Sequence, residues 1–218
     1  MKKSMPWIRC AGFLVGLAVI LGICDFCFAP SGYVRFILHE VNRKDTQYDT
    51  IILGASHARS AINPEYLDEE LGTNTLNLAI PGETVKDAYY LLKDACESND
   101  VKTVIMDVDY QYWMDEQPQG YFTEPFICQN ITNLKVKTEY LLDNWDTIDL
   151  RNVLVRRLSW DCTWSSVKQN VSTKMTEAYR EYSIEAAGVD GKVEGADGPY
   201  IGKGFFCLLY TSPSPRDY

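Results

Sequence analysis

The sequence predicts an α/β fold: a three-layer α/β/α domain around a parallel, flavodoxin-like sheet, preceded by one transmembrane helix. Three observations predict it. Short strand-like runs begin at positions 50, 74 and 102, and each is followed by a turn or by helical periodicity, which is the order that builds parallel sheets. A serine follows the first run within three residues. An apolar segment near the N-terminus precedes all three runs.

The N-terminal segment predicts a membrane anchor. Residues 1–9 contain three basic side chains, and residues 10–29 are apolar except for Asp25. A spanning helix needs about 20 apolar residues, and basic residues on the short side favour a cytoplasmic N-terminus. We therefore expect a cytoplasmic tail over 1–9, a single-pass signal anchor over 10–29 and an extracytoplasmic domain at the cell membrane. A cleaved signal peptide and a buried helix are the alternatives.

Composition argues against two classes of function. The net charge of −9 is the opposite of what phosphate recognition needs, so no nucleic-acid partner is expected. No Cys-x-x-Cys pair with a histidine partner lies outside the apolar segment, so a zinc site is not expected. The expected function implies no metal or organic cofactor. The body of the domain contains Cys96, Cys128 and Cys162. Either two of them pair in a disulfide or they are isolated buried thiols, and the spacing does not choose between these interpretations.

The first strand leads into the principal candidate site. After a connector over 30–47, the run Thr50 to Leu53 predicts a buried strand, and Gly54-Ala55-Ser56-His57 follows it at the start of a helical pattern. Open parallel sheets bind ligands at the carboxyl ends of their strands. Because glycine permits a tight turn, the Ser56 hydroxyl is expected to be exposed there. It is either a nucleophile or a helix cap.

The second unit has strong helix signals. Asn63-Pro64-Glu65 is typical of a helix start, and Gly72 of a helix end. A strand is predicted over 74–80. The turn that follows places Gly82 at the same edge of the sheet as Ser56, and Thr84 is expected to cap a helix over 85–96 whose apolar stripe packs in the core.

The third strand is predicted over 102–108, as a buried strand, and ends in Asp107-Val108-Asp109. These carboxylates either satisfy backbone N–H groups or hold the site loops and polar substrate groups. Asn77 lies inside the second strand, where a structural role is expected. An α/β-hydrolase is the less favoured fold, because its Gly-x-Ser-x-Gly elbow would need glycine where Ala58 stands.

Strand, Gly-x-Ser, helix, strand and turn glycine, over residues 48–110, resemble the SGNH (GDSL-type) hydrolase superfamily. The Gly-Ala-Ser-His form is most similar to its membrane-anchored, DltD-like branch, which modifies bacterial cell-envelope polymers with acyl groups. The resemblance implies that Ser56 is the nucleophile and that the Gly82 N–H belongs to the oxyanion hole. Supporting residues at the expected site edge are Gly54, His57, Asn77, Asp107 and Asp109.

Two departures from the family affect the function. An asparagine that donates to the oxyanion is replaced by the strand-end carboxylates, and an ionised carboxylate cannot donate. The family's catalytic base lies in a late Asp-x-x-His block, whereas this sequence contains only His39, expected at the surface, and His57. Residues 207–218 resemble translated sequencing-adapter read-through, with a real Ser/Pro tail as the alternative. We therefore expect a partial domain over 48–206, an incomplete sheet and no activity in this chain.

The remaining segments are predicted by composition. Residues 111–129 are aromatic and proline-bearing, as in a binding loop; residues 134–187 have helical patterns, and residues 188–204 a glycine-rich loop. The intact protein is expected to be a serine esterase or acyltransferase acting on an acyl ester of a cell-envelope polysaccharide or polymer, with a membrane acyltransferase as a candidate partner. The alternative is a non-catalytic envelope protein with the same fold that binds glycan or assembles a complex.

Overall fold

A computed structural model describes residues 6–108, 123–146, 148, 151, 160–187 and 200–207. They form a mixed α/β structure with a three-stranded parallel sheet and one N-terminal apolar helix. The helices are α1 (Pro6–Phe28), α2 (Tyr33–Val41), α3 (Ser56–Ala61), α4 (Pro64–Leu71), α5 (Val85–Cys96), α6 (Thr123–Asn130), α7 (Leu134–Asp143), α8 (Trp164–Lys174) and α9 (Glu177–Arg180), followed by a 3-10 turn (Ile184–Ala187). The strands are β1 (Thr50–Leu53), β2 (Thr75–Asn77), β3 (Thr103–Met106), β4 (Tyr200–Gly202) and β5 (Phe205–Phe206).

The parallel sheet has the strand order β2-β1-β3, which confirms the predicted parallel arrangement. Thr50 of β1 lies opposite Thr75 of β2 on one side and Thr103 of β3 on the other. β1 has the predicted bounds, whereas β2 is shorter than the predicted 74–80. The chain leaves β2 gradually, because the Leu78 N–H still donates to the Ile52 carbonyl at 2.9 Å.

Both faces of β1 are buried. Successive side chains of a strand point to opposite faces, so Ile51 and Leu53 join a large core cluster, whereas Ile52 packs with Ala58 and Ala79 on the other side. The large cluster contains residues of α2, α5, α6 and α7. Burial on both faces explains why β1 is a continuous apolar run.

The segment over 30–47, expected to be a connector, contributes to this core. It contains α2, whose Ile37, Leu38 and Val41 are fully buried. Their spacing places them on one helical face. His39 of the same helix is half-buried rather than at the surface, and its ring stacks on Tyr182 at a centroid distance of 3.7 Å.

The prediction that the third strand is buried is wrong. Val104 is 42% exposed and Met106 is also exposed, so β3 is an edge strand of the described sheet with apolar side chains facing outward. The core clusters explain the difference. They contain side chains of β1 and β2, whereas β3 contributes only Ile105, which packs at the periphery of the smaller cluster.

A short antiparallel hairpin of β4 and β5 lies where the sequence predicted the end of a loop. The Asn77 N–H donates to the Lys203 carbonyl at 2.8 Å, so the hairpin covers the outer edge of β2. Gly204 has a φ of 83°, and a Cβ there would lie 1.8 Å from the Asn77 carbonyl oxygen. Only glycine allows this close approach. A covered edge is protected from pairing with other chains.

The remaining segments agree with the sequence in part. The predicted helices after position 134 are present as α7, α8 and α9. The predicted binding loop over 111–129 contains helix α6 at its end, and residues 109–122, 188–199 and 208–218 lie outside the described residues. All seven cysteines are free thiols, of which Cys128 alone is fully buried, and burial raises its pKa to about 11.

The N-terminal helix meets the length and composition of a membrane span. Trp7–Phe28 covers 22 residues with a mean hydropathy of 2.3, and its most apolar stretch is not buried against the domain. Helix α1 contacts the domain chiefly through α8. The alternative of a buried core helix therefore disagrees with the structure.

Candidate active site

The predicted site residues meet at the carboxyl edge of the three parallel strands. Gly54 and Ser56 follow β1, Gly82 follows β2 and Asp107 follows β3. The Asp107 N–H donates to the Leu53 carbonyl at 3.0 Å, which keeps the end of β3 beside the end of β1. The parallel register of the strands thus places these turns side by side, at the edge where open α/β sheets bind ligands.

Gly54 is required by the geometry of the first turn. Its φ of +144° is one that side chains with a Cβ rarely adopt, and a Cβ there would lie 2.7 Å from Ala58 Cβ and 3.0 Å from Asp107 Cβ. The strand β1 can therefore turn into α3 only with a glycine at this position. Gly54 was predicted to permit a tight turn, and the positions of its neighbours give the physical reason.

Ser56 is the first residue of α3, and both Ser56 and His57 are exposed. Within the described part of the chain, the Ser56 hydroxyl makes no hydrogen bond. It does not cap α3, because the N-cap position is Ala55, without a side-chain hydrogen bond. Adjacent helical residues point about 100° apart, so the His57 ring diverges from the serine.

The residue that sequence reasoning missed is Glu83. Its carboxylate is buried and accepts two backbone hydrogen bonds, from Gly54 N–H at 2.8 Å and from Ile80 N–H at 2.9 Å. These two hydrogen bonds, here named the Glu83 clamp, connect the turn after β1 to the turn after β2 through one side chain. Hydrogen bonds to an ionised acceptor are among the stronger ones. In the sequence, Glu83 is a single charged residue in a turn before a helix, where glutamates are usually solvated, so no signal distinguished it.

Gly82 precedes this clamp, in an exposed turn with a φ of +77°. The turn is closed by a hydrogen bond from Glu83 N–H to the Ile80 carbonyl at 2.9 Å. Thr84 then caps α5 as predicted, in a capping box with Asp87. The peptide of Gly82 is therefore fixed between a buried carboxylate and a capped helix.

Asn77 is a buried residue at the end of β2 that holds α3 in position. It is fully buried, and its amide donates to the carbonyls of Ala58 at 2.9 Å and Ile62 at 3.1 Å, while its oxygen accepts from Ala79 N–H. These bonds attach the last turn of α3 to the end of β2. Both ends of the amide are engaged with backbone groups, so Asn77 positions α3.

Asp107 lies beside the turn that begins at Gly54, and it is half-buried. Asp109 lies outside the described residues. The structure therefore brings Gly54, Ser56, Gly82 and Asp107 to one edge, with Asn77 behind them.

A buried cation lies on the inner side of α3. Arg59 is 6% exposed, and its guanidinium lies over the Phe206 ring at 4.6 Å from the centroid. The Tyr33 hydroxyl donates to the Gly204 carbonyl at 3.1 Å. Burial raises the pKa of Tyr33 far above its usual range, so this phenol stays neutral. Helix α3 is thus held against α2 and the hairpin by its second turn.

No group of three or more His, Cys, Asp or Glu side chains within the described ranges is arranged to hold a metal ion. Comparison of the chain with protein-family models, with curated proteins and with solved structures found no match. The site must therefore be interpreted from its own geometry.

Proposed function

We propose that this edge is the acyl-transfer site of a membrane-anchored SGNH-type serine esterase or acyltransferase, and that the described sheet is part of a three-layer α/β/α domain outside the cytoplasm. The order β2-β1-β3 with an exposed serine after β1 supports the fold, since doubly wound sheets begin in this way. The substrate in this proposal is an acyl ester of a cell-envelope glycan or polymer.

The observation that carries the proposal is the Glu83 clamp. Acyl transfer needs a nucleophile and oxyanion donors in fixed relative positions. The two N–H groups bound by Glu83 belong to the Ser56 turn and to the Gly82 turn. Such a link between two loops is what a preorganised oxyanion site requires, and a serine that only capped a helix would not need it.

In the proposed reaction, Ser56 Oγ attacks the ester carbonyl and a base takes its proton. N–H groups of the Ser56 and Gly82 turns stabilise the tetrahedral oxyanion. The sugar or polymer oxygen leaves with a proton, and water or an acceptor hydroxyl then takes the acyl group from Ser56. The base is not supplied by His57, whose side chain diverges from Ser56, so we expect this chain to need an external base.

Imidazole tests the proposal by replacing that base. A positioned base contributes about 10²- to 10⁴-fold, so the chain alone should release no measurable acyl group from an acetylated sugar ester. Added imidazole should give release above its own background in the native chain and in Ser60→Ala, but none in Ser56→Ala. Equal release in all three proteins would refute the assignment of Ser56.

The second candidate is a non-catalytic glycan-binding protein with the same fold. The acidic Asp107 favours it, because a carboxylate disfavours an anionic transition state and accepts hydrogen bonds from sugar hydroxyls. Saturable binding of unacylated envelope glycan that persists in Ser56→Ala, together with no imidazole-dependent release, would favour this candidate.

A further inference from the structure

The last turn of α1 is held by side chains of α8. The Lys174 ammonium donates to the carbonyl oxygens of Phe26 at 2.7 Å and Asp25 at 3.3 Å, and also to that of Ala29. The Asn170 amide donates to two further carbonyls of the same turn. The last carbonyls of a helix have no partner within it, and a cation is favourable there. Lys174 is only 6% exposed, so it replaces water at this helix end.

The segment before α8 reaches the same turn. The Trp160 indole N–H donates to the Asp25 carboxylate at 3.1 Å, its ring packs on Phe28, and Asp161 N–H donates to the Phe28 carbonyl at 3.0 Å. The 11 residues of α8 extend over about 16 Å, whereas residues 25–29 rise by about 6 Å. Trp160 and Asp161 precede α8, and Asn170 and Lys174 lie in its C-terminal half, so α8 lies beside the end of α1.

The length of α1 determines where its contact with α8 lies relative to the membrane. The 22 residues of Trp7–Phe28 form a helix about 33 Å long, close to the roughly 30 Å of a bilayer's hydrocarbon core. If α1 spans the membrane, its last turn lies at the lipid headgroups. Helix α8, which contacts that turn, then lies at the same level.

The outer face of α8 has the composition of an interfacial surface. Trp164 is 83% exposed and Met175, the C-cap residue that follows α8, is 68% exposed, with exposed Lys168 between them. Positions 164, 168 and 175 share one helical face, which differs from the face with Asn170 and Lys174. Tryptophan is enriched at membrane interfaces, and lysine can extend its ammonium toward phosphates while its stem stays in apolar surroundings.

We propose that α8 is an interfacial helix whose Trp164, Lys168 and Met175 enter the headgroup region of the membrane that α1 crosses. The occupant of this face is the lipid surface beside the chain's own anchor, and this inference rests on the proposed anchoring of α1. The contacts of Lys174, Asn170 and Trp160 join the two helices rigidly. The domain therefore has a fixed orientation to the membrane surface instead of swinging on a linker.

Quenching by brominated lipids tests this inference in the full chain, reconstituted in phosphatidylcholine nanodiscs with acyl chains dibrominated near the headgroup. The emission lost on Trp164→Phe gives the quenching of Trp164 by difference. The control is Trp145→Phe, since Trp145 is 67% exposed and follows α7, away from α8 in the chain. We expect Trp164 emission to fall at least twofold in brominated lipid and Trp145 emission to be unchanged.

Trp7→Phe reports separately on the anchor, because Trp7 begins the candidate span. Quenched Trp7 with unquenched Trp164 would overturn the interfacial helix and leave the anchor intact. Quenching of neither would refute both. Blue-shifted but unquenched Trp164 emission would mean that protein covers this face, which also overturns the membrane assignment. Trp164 is largely exposed, so its substitution should not unfold the domain, and unchanged circular dichroism verifies this.

Discussion

Replacing Glu83 by glutamine removes the charge of the clamp and changes its shape very little. The carboxylate accepts from Gly54 N–H and Ile80 N–H. A glutamine oxygen can accept one of these bonds, but its NH₂ group then faces the other N–H. A buried donor left without an acceptor costs about 1–3 kcal/mol, and hydrogen bonds to charged groups contribute about 1.5–3 kcal/mol. We therefore expect Glu83→Gln to lower the free energy of unfolding by about 2–4 kcal/mol.

Thermal unfolding in detergent micelles, followed by circular dichroism, measures this loss. In a domain of this size 1 kcal/mol corresponds to about 2–4 °C, so the midpoint should fall by roughly 4–16 °C. Glu69→Gln is the matched control, because Glu69 is exposed on α4 and such changes stay within about 0.5 kcal/mol. Hydrogen exchange at the Gly54 and Ile80 amides should accelerate in Glu83→Gln alone. If the two variants have equal midpoints and exchange rates, Glu83 does not join the two turns.

Two further changes test the turns and the hairpin. Gly54→Ala should lower the free energy of unfolding by about 2–5 kcal/mol through backbone strain and overpacking. Gly72 also has a positive φ but has open space around it, so Gly72→Ala should cost only about 1–2 kcal/mol. Similar losses of stability to denaturant in both variants would contradict the crowding at Gly54. Burial opposes ionisation of Asp68, but hydrogen bonds from Lys203 and from two threonine residues hold its pKa below the usual value. Because the folded pKa is depressed, the ionised Asp68 stabilises the fold above the unfolded pKa of about 3.9, and this stabilisation is lost as the pH falls through the folded pKa. Hydrogen exchange of the β4 and β5 amides should therefore accelerate below about pH 4. In Asp68→Asn, this hydrogen exchange should be fast already at pH 7.

Local signals predicted the elements that depend on a few neighbouring residues. Asn63 caps α4 with Pro64 at its first position, Gly72 ends it in a left-handed conformation, and Thr84 caps α5. Such caps depend on residues within about four positions of the helix end, so the local sequence is sufficient to predict them. The strand β1 was equally readable, because burial on both faces leaves a continuous apolar run.

The features that the sequence did not reveal depend on distant partners. Glu83 acts on the N–H of a residue 29 positions earlier, and Lys174 binds carbonyls nearly 150 positions away. The exposure of β3 depends on which helices cover this strand. The apolar sequence of β3 does not specify those helices. The spacing of Ile37, Leu38 and Val41 does indicate helix α2, but the position of the segment directly after an anchor favours a connector.

The most direct test of the central claim is the mass of the protein after reaction with a fluorophosphonate in the presence of imidazole. We expect one adduct per chain, located by peptide mapping at Ser56, formed faster as the imidazole concentration increases and absent in Ser56→Ala. Little adduct should form without imidazole. Modification scattered over several serines, or none at Ser56 at any imidazole concentration, would contradict the claim that this edge of the sheet holds an acyl-transfer nucleophile.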